Sequence, residues 1–402
     1  MTEYLFSGLK VIDCATVIAA PAAAMMLGDF GADVIKVEQP GEGDMLRLLS
    51  HLPNAPNAGN DWFWQMDGRN KRDIALDLKS QEGIEILRRL VAQCDVFITN
   101  QPYPVRESLG LTYDELKPLK PDMIYASLTA YGEKGPERDR KGFDQLAYWA
   151  RSGLMDLMRA PGTRPTQGLP GMGDHPTGVA LYAGIVTALL HREKTGEGSF
   201  VHTSLLANGL WSAAGVAQGA MAGGDMPLYR DTAQTYGISF RPYQTADGRW
   251  LQFNMVRNEE LLSLAFTVMQ CVHLIVDERF ANLELMWQNR QLLGDEIAAV
   301  IVAKTAVEWM TLFEEHGVPV NCIAEVEETT SDPQVLINEM AVRPTNSDID
   351  VPLILNHPVK IDGIAQVGPT RAPGLSEHRI EVLAELGYSQ DEIDTLIVKG
   401  VI

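Results

Sequence analysis

The sequence predicts an α/β protein with a parallel β-sheet covered by helices on both faces, and a smaller α+β domain inserted in the chain. The first half alternates short strand-like runs with helical segments, which is typical of parallel sheets. From about residue 205 to 235 the composition shifts toward Ala, Gly and Met, and the hairpin signal Asp247-Gly248 follows. We therefore expect a large domain from residues 1–205 plus 330–402 and a smaller domain from 206–329.

The strands of the large domain are predicted from runs of branched apolar residues. These runs occur at 9–13, 33–38, 73–78, 96–99, 123–128 and 199–203. A helix from Ala22 to Asp29 follows the first run, and Gly31 is placed to end it. Ser80 is placed to cap a second helix. Ligands of such sheets bind beyond the carboxyl ends of the strands, so we expect the site there.

Farther along, the apolar run Val179–Leu190 predicts a buried helix that begins near Thr177. A hairpin is expected between 243–245 and 249–253, and helices between 258 and 316. A strand is predicted at Val359-Lys360-Ile361. The last helix is expected to begin at Ser376, with Leu375 and Ile380 packed around its cap.

Composition and charge narrow the class of protein. The chain has 402 residues, of which 46% are hydrophobic and 21% charged, and no apolar run reaches the length that spans a bilayer. The N-terminus has neither a basic region nor a signal-type apolar core, so we expect a cytoplasmic protein without a membrane partner. A net charge of −20 argues against nucleic acid, although a local basic cluster still allows a small anionic ligand.

No metal or nucleotide signature is present in the sequence. The 4 cysteines and 8 histidines are scattered without CxxC or HExxH spacing, so we expect no metal site. Neither GxGxxG after a strand nor GxxxxGK[ST] occurs. Several basic residues near predicted strand ends either gather around phosphates or form solvated surface: Lys36, Lys71, Arg72, Lys79, Arg106 and Lys141.

The glycine-rich stretch Gly171–Gly178 holds the leading candidate for chemistry. Asp174 lies there at the expected positive end of the apolar helix. Its carboxylate is either a nucleophile that attacks an activated acyl group or an N-cap, and local spacing favours the cap. If it is a nucleophile, flanking glycine N–H groups would stabilise the oxyanion. The adjacent His175 is a general base or, more in keeping with its position, a structural or ligand-contact residue.

Taken together, several segments resemble the class III CoA-transferase family, typified by formyl-CoA and carnitine CoA-transferases. They are GLKVIDCATVIAAP (8–21), LGDFGADVIKVEQPGEGD (27–44), NKRDIALDLKSQEG (70–83), ASLTAYGEKGPERDRKGFDQLA (126–147), GLPGMGDHPTG (168–178), HREKTGEGSFVHTSLL (191–206) and TRAPGLSEHRIEVLAELGY (370–388). The resemblance covers nearly the whole chain and is weakest between about 207 and 320. The sequences of these segments most closely resemble those of aryl-lactate and 2-hydroxyacyl CoA-transferases.

The resemblance implies a Rossmann-like large domain, an interlocked homodimer, and acyl-CoA and carboxylic acid as substrates. Asp174 would form an aspartyl anhydride and then an aspartyl-CoA thioester, with coenzyme A as co-substrate and no permanently bound cofactor. Ile18, Gly173 and His175 would face the substrate. The residues implied to hold CoA are Thr16, Val17, Ala19, Leu76, Lys79, Asn100 and Lys141, with Arg106 close to a family arginine but not at its position.

Two departures bear on the substrate. Formyl-CoA transferases carry glutamine where this chain has Ile18, and a glycine run that is missing between 220 and 260. Both argue against oxalate and for a bulkier 2-hydroxy, aryl or other medium-sized acid. Two alternatives stay open: an α-methylacyl-CoA racemase of the same fold, which would need a second base where Phe143-Asp144 stands, and a non-catalytic CoA-binding protein.

Overall fold

The computed structural model describes residues 3–160, 162–232, 237–254, 259–346 and 348–402. The chain divides into two compact units, residues 1–224 with 333–402 and residues 225–332. A six-stranded sheet forms the centre of the first unit, and all its paired strands run parallel. The predicted α/β fold with a parallel sheet is therefore confirmed.

The strands of this sheet are β1 (Lys10–Cys14), β2 (Asp33–Glu38), β3 (Arg72–Ala75), β4 (Val96–Thr99), β5 (Ile124–Thr129) and β6 (Ser199–Ser204). All six predicted strands are present, with ends that differ by a few residues. Their order is β3-β2-β1-β4-β5-β6, so the direction of strand addition reverses beside β1. This is the position at which doubly wound sheets open a crevice for a ligand.

The helices of the first unit are α1 (Ala19–Asp29), α2 (Leu46–Leu49), α3 (Trp62–Gly68), α4 (Gln81–Val91), α5 (Tyr103–Ser108), α6 (Tyr113–Leu116), α7 (Leu154–Leu157), α8 (Asp174–Thr195), α9 (Leu205–Ser212) and α10 (Ala214–Met221). A π-helix covers Gln145–Ala150. The Ser80 hydroxyl accepts a hydrogen bond from the Gly83 N–H at 3.0 Å, so the predicted cap is confirmed. Helix α8 begins at Asp174 rather than near Thr177, because Gly173 directly before it already has helical backbone angles.

Apolar side chains cover both faces of the sheet, as the buried strands require. Val11 and Val34 pack on one face with α1 and α8. Their neighbours Ile12 and Ile35 pack on the other face with α4. Successive residues of one strand thus enter opposite cores.

The second unit has its own sheet and core. Its antiparallel strands are β7 (Tyr243–Gln244), β8 (Trp250–Phe253) and β9 (Val320–Cys322), which confirms the predicted hairpin at Asp247-Gly248. Its helices are α11 (Met226–Thr232), α12 (Glu259–Val268), α13 (Leu283–Gln288), α14 (Arg290–Ile301) and α15 (Ala306–His316). Phe253, Trp309 and Phe313 are fully buried in its core.

The C-terminal segment returns to the first unit. It contains α16 (Pro333–Ile337), β10 (Ala341–Val342), β11 (Ile354–Leu355), α17 (Arg379–Glu385) and α18 (Gln390–Val398). The predicted strand at 359–361 is wrong, since those residues are irregular. The last helices begin at Arg379 and Gln390 rather than at Ser376. The Ser376 hydroxyl accepts a hydrogen bond from the Ala75 N–H, and the Ser376 N–H donates one to the Asp73 carboxylate. Ser376 is therefore bound to β3 instead of starting a helix.

A buried network of charges joins β1, β2 and the loops that follow them. The Lys36 ammonium lies 2.7 Å from the Asp44 carboxylate and also donates to the Ala15 carbonyl. The Lys71 ammonium lies 2.9 Å from Asp13 and donates to the Pro21 carbonyl at 2.8 Å. All four charged side chains are buried. A buried ion whose partner is removed is strongly destabilising, so this network should tolerate little change.

We expect Lys36→Met to lower the free energy of unfolding by roughly 3–5 kcal/mol, because it leaves the buried Asp44 carboxylate without its cation. Urea denaturation followed by circular dichroism measures the change. Arg89→Met is the matched control, since it breaks the exposed pair with Glu85 and should leave stability nearly unchanged. Equal losses in the two variants would contradict the role given to the buried network.

Candidate functional site

Two cavities lie at the carboxyl ends of the parallel strands. The larger has a volume of about 740 Å³ and is lined by residues that include Thr16, Val17, Glu38, Asp44, Leu76 and Lys79. The smaller has a volume of about 280 Å³ and is lined by residues that include Thr16, Val17, Ile18, Ala19, Asn100 and Asp174. Since Thr16 and Val17 line both cavities, the turn between β1 and α1 forms their common wall.

This turn is held in an unusual backbone conformation. Val17 has a φ of 67°, which is strained for a β-branched side chain. The Asp44 carboxylate accepts the Val17 N–H at 2.9 Å. The Asn100 side chain accepts the Thr16 N–H at 2.9 Å and donates to the Thr16 carbonyl at 2.7 Å. Two side chains from other loops therefore fix the wall between the cavities.

Asp174 is the first residue of α8 and reaches the smaller cavity. It is 8% exposed, and no hydrogen bond to its carboxylate is found among the described residues. The N-cap position belongs to Gly173, so the side chain of Asp174 does not act as the cap that local spacing favoured. A carboxylate that caps nothing and faces a cavity is available to a ligand.

Burial disfavours the charged form of Asp174, and the nearby Asp144 carboxylate adds repulsion. The positive charge of His175 opposes these effects, while Asp67 adds a smaller repulsion. The net result raises the pKa of Asp174 to about 7. A carboxylate of such basicity is a stronger nucleophile than an exposed aspartate.

The backbone around Asp174 requires glycine at two positions. Gly171 has a φ of 79°, in the left-handed region. A Cβ on Gly173 would lie 2.6 Å from the Tyr148 ring. Gly173 donates its N–H to Asp144 at 3.3 Å, and Asp174 donates its own to the Gly171 carbonyl at 3.0 Å. The Gly173 N–H is thus engaged by Asp144, and the expectation that flanking glycine N–H groups stabilise an oxyanion stays a prediction.

His175 does not line the smaller cavity. Its Nε2 lies 3.2 Å from an Asp67 carboxylate oxygen, and its Nδ1 lies 3.2 Å from the Gly171 carbonyl oxygen. Its ring also stacks near Phe63. The sequence reasoning missed Asp67 because 107 positions in the chain separate it from Asp174, and no local pattern links the two.

The predicted basic residues separate into two groups. Lys79 lines the larger cavity and Lys141 the smaller one, and both are exposed. Arg138 and Arg140, which the sequence reasoning missed, also line the smaller cavity. The remaining candidates are engaged elsewhere: Lys36 and Lys71 in the buried network, Arg72 with Asp33, and Arg106 with Glu133.

Arg106 is 2% exposed and lines neither cavity. Its guanidinium lies 2.9 Å from the Glu133 carboxylate, and it also approaches the Tyr125 hydroxyl at 3.5 Å. Glu133 belongs to the loop that leads to Arg138 and Lys141. Arg106 therefore supports this loop and does not form part of either cavity wall.

Among the described residues, no group of three or more His, Cys, Asp or Glu side chains could hold a metal ion. No helix in the same residues is long and apolar enough to cross a membrane.

Comparison with known proteins gives one consistent family. The model of CoA-transferase family III matches residues 6–379. The chain is 33% identical to (R)-2-hydroxy-4-methylpentanoate CoA-transferase of Clostridioides difficile, over 97% of each chain. It is 31% identical to cinnamoyl-CoA:phenyllactate CoA-transferase of Clostridium sporogenes, over 98% of this chain and 96% of the relative. A solved CAIB/BAIF family protein from Brucella suis is 28% identical and superposes with a TM-score of 0.80 over 96% of this chain and 100% of its own.

Gly173→Ala should lower the free energy of unfolding by roughly 1–3 kcal/mol, because the new methyl group must displace the Tyr148 ring. Thermal unfolding measures the effect. Gly215→Ala in α10 is the matched control, since a Cβ there meets no atom within 4 Å. Alanine should be neutral or slightly stabilising at that helical position. A Gly173→Ala protein as stable as the control would contradict the close packing against Tyr148.

Asp174→Asn should stabilise the protein at neutral pH. The folded protein holds the Asp174 proton more tightly than the unfolded chain, because its pKa is about 7 against an ordinary 3.8. Wild-type stability therefore falls as pH rises between these values and then levels off. The advantage of Asp174→Asn should grow by up to about 1.4 kcal/mol per pH unit between pH 5 and 7. Melting temperatures across this range test it, and an advantage that does not change with pH would contradict it.

Proposed function

The chain belongs to CoA-transferase family III, and we propose that Asp174 is the carboxylate on which CoA is exchanged between two organic acids. One observation carries this proposal: Asp174 is a buried, unpaired carboxylate at the start of α8 that lines a cavity beyond the sheet. Transferase activity follows from the family. The covalent route and the identity of the acids are the proposed part.

In the first half-reaction, the Asp174 carboxylate oxygen attacks the thioester carbonyl of the donor acyl-CoA. The carbon–sulfur bond breaks, which gives CoA thiolate and a mixed acyl-aspartyl anhydride. The thiolate then attacks the aspartyl carbonyl, forms an aspartyl-CoA thioester and releases the donor as a carboxylate. Splitting one difficult displacement into such steps is the advantage of a covalent nucleophile.

In the second half-reaction, the acceptor carboxylate attacks the aspartyl thioester and expels CoA thiolate. The thiolate then attacks the acceptor's acyl carbonyl in the new anhydride. This attack releases the new acyl-CoA and restores the Asp174 carboxylate. Charge and protons balance without an external acid or base, since each step exchanges one anion for another. The pKa of Asp174, near 7, suits a group that must attack and then leave.

We place CoA across the two cavities on the basis of their common wall. Leu76 and Lys79 line the larger cavity, which has room for the nucleotide portion. Ala19, Asn100 and Lys141 line the smaller cavity with Asp174, where the thioester would react. Thr16 and Val17 would contact the connecting pantetheine arm, since they line both. Lys79, Lys141, Arg138 and Arg140 supply positive charge for an anionic ligand in a chain with a net charge of −20.

The acceptor is proposed to be a 2-hydroxy, aryl or other medium-sized acid. Part of the wall of the smaller cavity is apolar and is formed by Ile18, Leu128, Ala130, Phe143 and Leu205. An apolar wall stabilises a branched or aromatic acyl group by burial. The names of two similar enzymes contain 2-hydroxy-4-methylpentanoate and phenyllactate, acids of this kind. Ile18 lines this cavity, whereas Gly173 and His175 do not.

The homodimer implied by the family resemblance remains a proposal. Trp211 and Met221, in α9 and α10, are 80% and 71% exposed in the single chain. Large apolar side chains at such exposure favour a protein interface.

Asp174→Ala should lower the rate of CoA transfer by at least about 10³-fold, because it removes the carboxylate proposed to carry the acyl intermediate. The measurement is a coupled assay with a panel of acyl-CoA donors and 2-hydroxy, aryl and dicarboxylic acid acceptors. Hydroxylamine added during wild-type turnover should convert Asp174 to a hydroxamate that mass spectrometry detects.

Asp362→Ala, at an exposed position, is the matched control and should retain full activity. Transfer by Asp174→Ala at the wild-type rate would refute the assignment. Epimerisation of a 2-methylacyl-CoA without any acceptor would instead support the racemase alternative.

A further inference from the structure

The pair formed by Asp67 and His175 has no part in the covalent steps, and its geometry is specific. Both ring nitrogens of His175 face acceptors, the Asp67 carboxylate and the Gly171 carbonyl, each at 3.2 Å. An imidazole can donate to two acceptors only when both nitrogens carry protons. The two contacts therefore favour the cationic form of the ring.

Asp67 is built for this contact. It is 1% exposed, and its second carboxylate oxygen is buried without a hydrogen-bond partner among the described residues. A buried charge requires a partner of opposite charge. His175 is that partner, and the ion pair links α3 to α8.

The surroundings of Asp174 give the pair a role. Asp174 feels the repulsion of Asp144 and Asp67, and His175 is the cation that opposes this repulsion. His175 itself experiences burial, which favours its neutral form, but the Asp67 hydrogen bond and the charges of Asp67 and Asp174 raise the pKa of His175 above its ordinary value. The positive charge of His175 thus interacts with the Asp67 and Asp174 carboxylates at the start of α8.

We propose that Asp67 fixes His175 as an imidazolium whose charge keeps Asp174 ionised and ready to attack the thioester. Both are positioning residues, since neither lines the cavity that holds Asp174. This inference rests on the proposed role of Asp174 and adds how the protein sets its charge. Aromatic contact with Phe63, whose ring centroid lies 6.5 Å from that of His175, limits movement of the imidazole.

The direct test is nitrogen NMR of the histidine rings in the full-length protein, which reports protonation without any assay of activity. The His175 signal is assigned by its absence in His175→Gln. In the wild type it should keep the imidazolium pattern to a higher pH than an ordinary histidine does. In Asp67→Asn the ring should lose a proton at a lower pH than in the wild type. A wild-type ring that titrates no higher than an ordinary histidine would overturn the proposal.

The kinetic test is the pH profile of kcat/KM, which follows ionisation in the free enzyme. In His175→Gln the acidic limb should move to higher pH by about one unit, so activity at pH 6 falls about tenfold more than at pH 9. His51→Gln is the matched control: it removes an exposed His–Asp pair with a 2.6 Å contact and should leave the limb in place. A uniform loss at every pH would reduce His175 to a structural role.

The two proposals fail separately. Retained transfer in Asp174→Ala would refute the nucleophile, whatever the NMR shows. If Asp174 is essential but the acidic limb of the kcat/KM profile is the same in the wild type and in His175→Gln, only the charge-setting role is refuted.

Discussion

The strained turn between β1 and α1 is the constraint on which the site depends. Val17 adopts a left-handed conformation that a β-branched residue avoids, and a hydrogen bond to Asp44 holds it there. Asp44 is in turn fixed by Lys36, which reaches it from β2 under the same turn. A network of buried charges therefore offsets local strain, and the resulting wall separates the two cavities.

Asp174 shows a related balance between stability and chemistry. The protein buries a carboxylate beside Asp144, and both effects disfavour its ionisation. A residue selected for folding alone would be neutral or paired at this position. The start of α8 and the His175 imidazolium offset part of the free-energy cost of ionising the buried Asp174, since each stabilises a negative charge there. The group that results is basic enough to attack a thioester and is still ionised in a useful fraction near neutral pH.

Much of the fold followed from local patterns. All six strands of the sheet were identified, because parallel strands buried on both faces read as continuous branched apolar runs. The failures have physical reasons. The segment at 359–361 has alternating character but lacks a partner strand, and Ser376 binds β3 instead of opening a helix. At the site, local spacing favoured a capping role for Asp174 while the family resemblance implied a nucleophile, and the N-cap position belongs to Gly173.

The sequence by itself determined the sheet, the position of the site beyond its strand ends, the family and the prominence of Asp174. These depend on periodicity and on motifs, which are local in the chain. The tertiary structure decided which charges surround that carboxylate. Asp67 and Asp144 come from separate segments, and the fold alone brings them near α8. It likewise showed that Arg106 pairs with Glu133 while Arg138 reaches the cavity. Electrostatic effects depend on distance and burial in space, and neither is encoded at any single position of the chain.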